Sequence, residues 1–148
     1  MELAKINGGA IYFDTNIFIY ALEDSHEYRE QITALFSRIR QTGTLVVTSE
    51  LTLAECLVKP FATEDDLSIQ HYERNIKTSE FLEIKAITRT ILKGAARNKA
   101  ICRNKLPDSI HMATALHSGC AIFVTNDASI KTPGNINLLV LKNLTIDG

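Results

Sequence analysis

The chain has 148 residues, 45% of them hydrophobic, which suits one globular domain with a buried core and leaves no room for two of ordinary size. Its formal net charge of −1 and pI near 6.4 exclude a global basic field, so any polyanionic partner must be gripped locally. Three scattered cysteines (Cys56, Cys102, Cys120) without C-x-x-C spacing, no apolar signal core, and no apolar run near the ~20 residues that span a bilayer lead to the expectation of one soluble, unexported, cytoplasmic domain over residues 1–148.

In chain order, Ala10 to Phe13 is an apolar run of good strand formers that ends in Asp14-Thr15-Asn16. Being apolar on successive residues, it predicts a short strand covered on both faces. Ile17 to Leu22 predicts a largely buried helix whose N-terminus lies at Asp14. A carboxylate there, at the C-terminal end of a central parallel strand, occupies the crevice where open α/β sheets place their ligands. The plainer alternative for Asp14 is a helix cap. After a polar break at Glu23 to Glu27, Ile32, Leu35, Phe36 and Ile39 predict an amphipathic helix stopped near Gly43.

Leu45 to Thr48 reads as a second strand, and Ser49 as the cap of a helix from Glu50 to Lys59 ended by Pro60. Thr52, Glu55 and Lys59 form its narrow polar stripe. Taken alone, Glu55 is explained by an i,i+4 pair with Lys59. Thr63 followed by Glu64-Asp65-Asp66 predicts the start of a further helix, its acids suited to the positive end of the helix dipole. Phe81 to Ile84 predicts an edge strand and Ala86 to about Ala100 a helix.

Lys93, Arg97, Lys99, Arg103 and Lys105 make the densest basic region of the chain. Such runs are usually solvated faces, yet this one leads directly into Leu106-Pro107-Asp108. Pro107 suits the first turn of a helix and places Asp108 beside free backbone amides. Asp108, His111, Met112 and Ala115 follow one another at helical spacing, so His111 is a candidate partner of Asp108. A histidine in this position is more often half exposed, and it is not assigned as a ligand. Ala121 to Val124 then repeats the opening pattern and ends in Thr125-Asn126-Asp127. Pro133-Gly134 makes a turn before a last strand at Leu138 to Leu141. Strands alternating with helices predict an α/β sandwich with a mostly parallel sheet.

Convergence of Asp14, Glu55, Asp108 and Asp127 in one crevice would require protons or divalent cations to offset their repulsion. Oxygen-only ligands favour hard ions such as Mg²⁺ or Mn²⁺. A carboxylate-held ion of this kind suits phosphodiester hydrolysis. The basic residues Arg97, Lys99, Arg103 and Lys105 are then expected to grip substrate phosphates, since net charge offers nothing elsewhere.

Phe13-Asp14-Thr15-Asn16, Glu55, the run Leu106-Pro107-Asp108-Ser109-Ile110-His111-Met112-Ala113-Thr114-Ala115, and Val124-Thr125-Asn126-Asp127, in that order, closely resemble the PIN-domain nucleases. In size and element order the chain looks most like the VapC-type toxins of prokaryotic toxin–antitoxin pairs, from Ile11 to about Leu141. The resemblance implies an α/β/α sandwich with a five-stranded sheet in the order 3-2-1-4-5. It implies that Asp14, Glu55 and Asp108 are metal carboxylates for Mg²⁺ or Mn²⁺, with Asp127 completing the site or serving a second metal position. Thr15, Asn16 and Thr125 would orient ligands or the scissile phosphate. A homodimer, RNA cleavage leaving 3′-hydroxyl and 5′-phosphate ends, and an antitoxin protein that covers the site are implied as well. Ala128-Ser129-Ile130 departs from the family, many members of which carry a charged residue and an aromatic after the last acid. Two other classes compete. A PIN-like module could bind RNA or protein without cleaving, against which stands the intact set of four acids. An aspartyl-phosphate phosphatase wants a second Asp two residues after Asp14, where this chain has Asn16.

Overall fold

The computed structural model describes residues 3–146. Five strands form one sheet in the order β3-β2-β1-β4-β5, every neighbouring pair parallel, as the family resemblance implies. The strands are β1 (Ala10–Phe13), β2 (Leu45–Ser49), β3 (Leu82–Lys85), β4 (Ile122–Thr125) and β5 (Asn137–Val140). Six helices connect them: α1 (Thr15–Leu22), α2 (Arg29–Thr42), α3 (Glu50–Ala62), α4 (Asp66–Asn75), α5 (Arg89–Cys102) and α6 (Leu106–His117). None of the described helices is long and apolar enough to cross a membrane.

The central strand β1 pairs Ile11 with Val46 on one side and Ile122 on the other, and Phe13 with Val124. Its side chains alternate between two separate cores, as the pleat requires. Ile11 and Phe13 join Ile17, Phe18, Leu35, Ile39, Cys56 and Tyr72 beneath α1 to α4. Tyr12 points the other way, with Val47 and Phe123, onto Met112 and Ala115 of α6. Helix α5 lies outside α6, joined to it through Ile91, Ala95 and Ala113. Covering both faces is what makes these strands read as continuous apolar runs. Phe13 is fully buried, which alone is worth about 1.5–3 kcal/mol of burial.

Helix α2 stops at Gly43, whose φ of 65° lies in the left-handed region that a residue without Cβ adopts without strain. Helix α3 does not stop at Pro60 as the sequence predicts; it continues to Ala62 with Pro60 buried inside it. The missing proline N–H falls in the last turn, so a single ladder bond is forgone. The Thr63 amide still reaches the Lys59 carbonyl, at 3.0 Å. Thr63 consequently closes α3 instead of opening the next helix. Asp65 caps α4, accepting from the Ser68 amide at 3.1 Å, with Asp66 in the first turn as the helix dipole favours. Likewise α5 begins at Arg89, later than Ala86, because Thr88 caps it through the Ile91 amide.

Candidate active site

Strands β1 and β4 end side by side, and the residues just past them are tied together. The Asp14 amide donates to the Val124 carbonyl at 2.9 Å, extending the pairing by one residue. Asp14 then turns the chain into α1 as its N-cap, with Oδ1 accepting from the Thr15 amide at 2.8 Å. Its Oδ2 accepts from the Thr125 hydroxyl at 2.7 Å and, more loosely, from Asn16 Nδ2 at 3.5 Å. Asn16 also receives the Asn126 amide on its Oδ1 at 3.1 Å, so the two strand ends are locked to each other. Asp14 is 5% exposed. The capping role and the crevice position anticipated for it are therefore the same position.

Glu55 reaches this crevice from α3. It forms no ion pair with Lys59 among the described residues. Its Oε1 accepts from Thr15 Oγ1 at 2.8 Å and lies 2.6 Å from His111 Nε2. Partial burial pushes the Glu55 carboxyl up, but the hydrogen bond and charge of His111 together with the Thr15 hydroxyl outweigh it and hold the group below the ordinary glutamate value. The polar stripe on α3 is divided: Thr52 is fully buried against Thr48, 2.6 Å away, whereas Lys59 is exposed.

Asp108 stands at the start of α6, with Pro107 in the first turn as the sequence predicts. Its carboxyl is raised, by burial first and then by the negative charge of Asp14, with smaller contributions from Asp127 and Glu55 that His111 partly opposes. The fields of the other three acids thus meet on Asp108. Asp127 occupies the outer edge. It is exposed, and its Oδ1 accepts from both the amide and the hydroxyl of Ser129 at 2.9 and 2.6 Å, which hold its carboxyl below the usual range. The positive charges of Lys105 and Lys142 act in the same direction.

Two of these findings lie outside the sequence reading. His111 is neither half exposed nor bonded to Asp108; it is 1% exposed and bonded to Glu55. The reason is α6 itself, which packs this face against the Tyr12 side of the sheet. Only the apolar neighbours Met112 and Ala115 hinted at burial. Lys142, whose amide donates to Asn126 Oδ1 at 2.8 Å, joins the site from beyond β5, with no local signal in the sequence. The basic run is divided by the fold. Lys105 lies on the Asp127 side, whereas Arg97 lines a groove of about 400 Å³ between α5 and α6 with Ile101, Leu116 and His117. Lys93, Lys99 and Arg103 are exposed.

Among the described residues, no three His, Cys, Asp or Glu side chains are gathered closely enough to hold a metal ion. Glu55 is drawn toward His111, and Asp127 is folded onto Ser129. The donors nevertheless suit a hard divalent cation. They are carboxylate oxygens supported by hydroxyls, and the like charges that raise Asp108 are what such a cation relieves.

The PIN domain family matches residues 11–134. The chain belongs to the PIN-domain family. No curated protein matches it. Among solved structures, VapBC2 from Rickettsia felis, crystallised on a DNA fragment from its promoter, superposes with a TM-score of 0.69 at 16% identity, covering 88% of this chain and 97% of that one. Salmonella typhimurium VapBC, also DNA-bound, gives 0.60 at 17% identity, with 89% and 98% covered. Mycobacterium tuberculosis VapC20, a toxin that cleaves the sarcin-ricin loop, gives 0.63 at 14% identity, with 76% and 86% covered. At such identities the likeness is one of fold.

Proposed function

We propose that this PIN-domain protein is a metal-dependent endoribonuclease and the toxin of a toxin–antitoxin pair. The observation that carries the reading is the convergence of acids from separate elements. Asp14 Oδ1 and Glu55 Oε1 lie 3.8 and 2.6 Å from one nitrogen of His111, and the charges of Asp14, Glu55 and Asp127 all act on Asp108. Evolution seldom retains repelling carboxylates in a crevice without a function for them. The solved relatives support the biological assignment, since they include VapBC pairs and an RNA-cleaving VapC toxin.

In this reading Asp14, Glu55 and Asp108 hold Mg²⁺ or Mn²⁺, with Asp127 completing the site from its edge. When bound, such an ion supplies Lewis-acid polarisation of a phosphoryl oxygen and lowers the pKa of a water. The chain's own residues do the positioning. Thr15 and Thr125 fix the two acids, each through a hydroxyl that donates to a carboxylate at 2.8 or 2.7 Å. Asn16 holds the β4 loop in place. Lys105 and Lys142 at the rim, with Arg97, Lys99 and Arg103 on the adjoining surface, attract the RNA phosphates; their locality is how a chain of net charge −1 would hold a polyanion. The soluble protein would act in the cytoplasm as a homodimer and be silenced by an antitoxin covering the crevice.

The test is a gel assay on structured and unstructured RNA with Mn²⁺, then with EDTA. Cleavage that requires the ion and disappears in Asp14→Asn is expected. Binding without cleavage would identify a recognition module, and cleavage indifferent to EDTA would exclude the metal mechanism.

A further inference from the structure

His111 has four polar side-chain atoms around its two ring nitrogens, and the acids alone do not explain it. Its ring is 1% exposed. Nδ1 lies 2.6 Å from the Tyr12 hydroxyl, while Nε2 faces Glu55 Oε1 at 2.6 Å, Thr15 Oγ1 at 3.2 Å and Asp14 Oδ1 at 3.8 Å. Tyr12 is itself fixed. It sits in the middle of β1, fully buried, stacked on Phe123 with centroids 5.1 Å apart and edge-on to His111 at 5.7 Å. Whether the phenol donates to Nδ1 of a neutral ring or accepts from Nδ1 of an imidazolium, the ring keeps a proton on Nε2, aimed at Glu55. Glu55, by contrast, is on α3 with its side chain 35% exposed, and no Lys or Arg pairs with it among the described residues. Without a tether its three rotatable bonds would let it swing into solvent.

Resting on the nuclease reading above, we propose that His111, oriented by Tyr12, is a positioning residue that holds the Glu55 carboxylate in the crevice beside Asp14. The relay runs from the sheet through α6 to α3: Tyr12 hydroxyl, His111 ring, Glu55 Oε1. The His111 and Thr15 tethers both fall on Oε1, so Glu55 would keep its other oxygen for a cation. Hydrogen-bond partners of ligating groups commonly set metal affinity in this way, by about 10–100-fold when removed. Thr15 supplies the second tether, at 2.8 Å to the same oxygen, so loss of His111 weakens the arrangement without abolishing it.

The experiment is Mn²⁺ titration followed by the electron paramagnetic resonance signal of the free ion, for wild type, Glu55→Gln, His111→Leu, His111→Gln and Tyr12→Phe. Melting in EDTA reports the fold of each. His111→Leu should bind Mn²⁺ about 10–100-fold more weakly. His111→Gln, whose amide can donate from near the Nε2 position, should recover most of that loss, and Tyr12→Phe should fall between. A purely structural His111 would lower melting in EDTA yet leave the affinity of the folded protein unchanged. That outcome, or equal weakening by Leu and Gln, overturns the proposal. If His111→Leu does not fold, Tyr12→Phe decides, and wild-type affinity there overturns it. A wild type that binds no Mn²⁺ removes the nuclease reading and this inference with it. Retained wild-type binding with a silent His111→Leu removes the inference alone.

Discussion

The ends of β1 and β4 carry the same three residue types in different order, Asp14-Thr15-Asn16 and Thr125-Asn126-Asp127. Their acids have opposite fates. Asp14 follows the last strand residue directly, extends the ladder through its amide, and is 5% exposed with hydroxyl or amide donors on both oxygens. Asp127 lies two residues past Thr125, exposed, with its Oδ1 occupied by Ser129 in its own loop. Thr125, not Asp127, takes the buried place equivalent to Asp14, and it serves Asp14 from there. A residue's distance from the last paired strand position, more than its identity, decides whether the sheet can bury and orient it.

The largest expected effect breaks this comparison directly. Asp14→Asn should reduce RNA cleavage by more than about 100-fold, beyond the 10–100-fold typical of losing a ligand's hydrogen-bond partner. Asp127→Asn should cost no more than about 10-fold by the same reasoning. Initial rates for the two variants, with circular dichroism to check the fold, decide the matter; equal losses would mean the two strand ends act alike.

Glu55 and Asp108 sharpen it through pH. Asp108 has a folded-state pKa raised by burial and by Asp14, so the folded protein holds more protons than the unfolded chain across that window. Metal-free stability is greatest below the unfolded aspartate value and falls as pH rises through the raised one. Asp108→Asn should accordingly melt higher than wild type in EDTA at neutral pH while losing cleavage. Glu55 has the opposite sign. Partial burial raises its pKa, but His111 and Thr15 more than reverse this, so its stabilising contribution is present above the unfolded glutamate value and is lost as pH falls through the lowered one. Glu55→Gln should melt lower than wild type at neutral pH and converge with it in acid. Thermal melts from acid below the ordinary glutamate value up to neutral pH, in EDTA and in excess Mn²⁺, test both, and Mn²⁺ should raise the wild-type midpoint selectively.

The smallest effect concerns the rim. Lys105→Gln should lower the salt dependence of RNA binding by about 0.7 in the log–log slope for each lost phosphate contact, and Lys142→Gln should do the same. Arg97→Gln, on the α5–α6 groove, should change the slope less than either. Filter binding across a salt series measures all three, and a full loss at Arg97 with none at Lys105 would move the RNA path onto the groove.

The sequence by itself determined the elements, the parallel sheet and the strand-end positions of Asp14 and Asp127. Each of these rests on short-range pattern, an apolar run covered on both faces followed by small polar residues, which nearest neighbours can encode. The family resemblance added the strand order. Only the tertiary structure decided what the acids touch. Glu55 and Lys59 lie one helical turn apart and were expected to pair, yet Glu55 bonds to a histidine 56 positions away, itself tied to Tyr12 across 99. Helical spacing could place His111 on the face of Asp108, but whether that face met solvent or the sheet depended on how α6 packed. Pro60 stayed inside α3 because a lost donor in the last turn is tolerated when its ring is buried, and burial is a property of the assembled layers. Lys142 reached the Asn126 loop, where its amide is bonded, because β5 lies beside β4 and returns the chain to that end of the sheet. Side-chain partners are chosen after the elements assemble, by proximity and by the need of buried polar groups for hydrogen bonds, and no local window contains that choice.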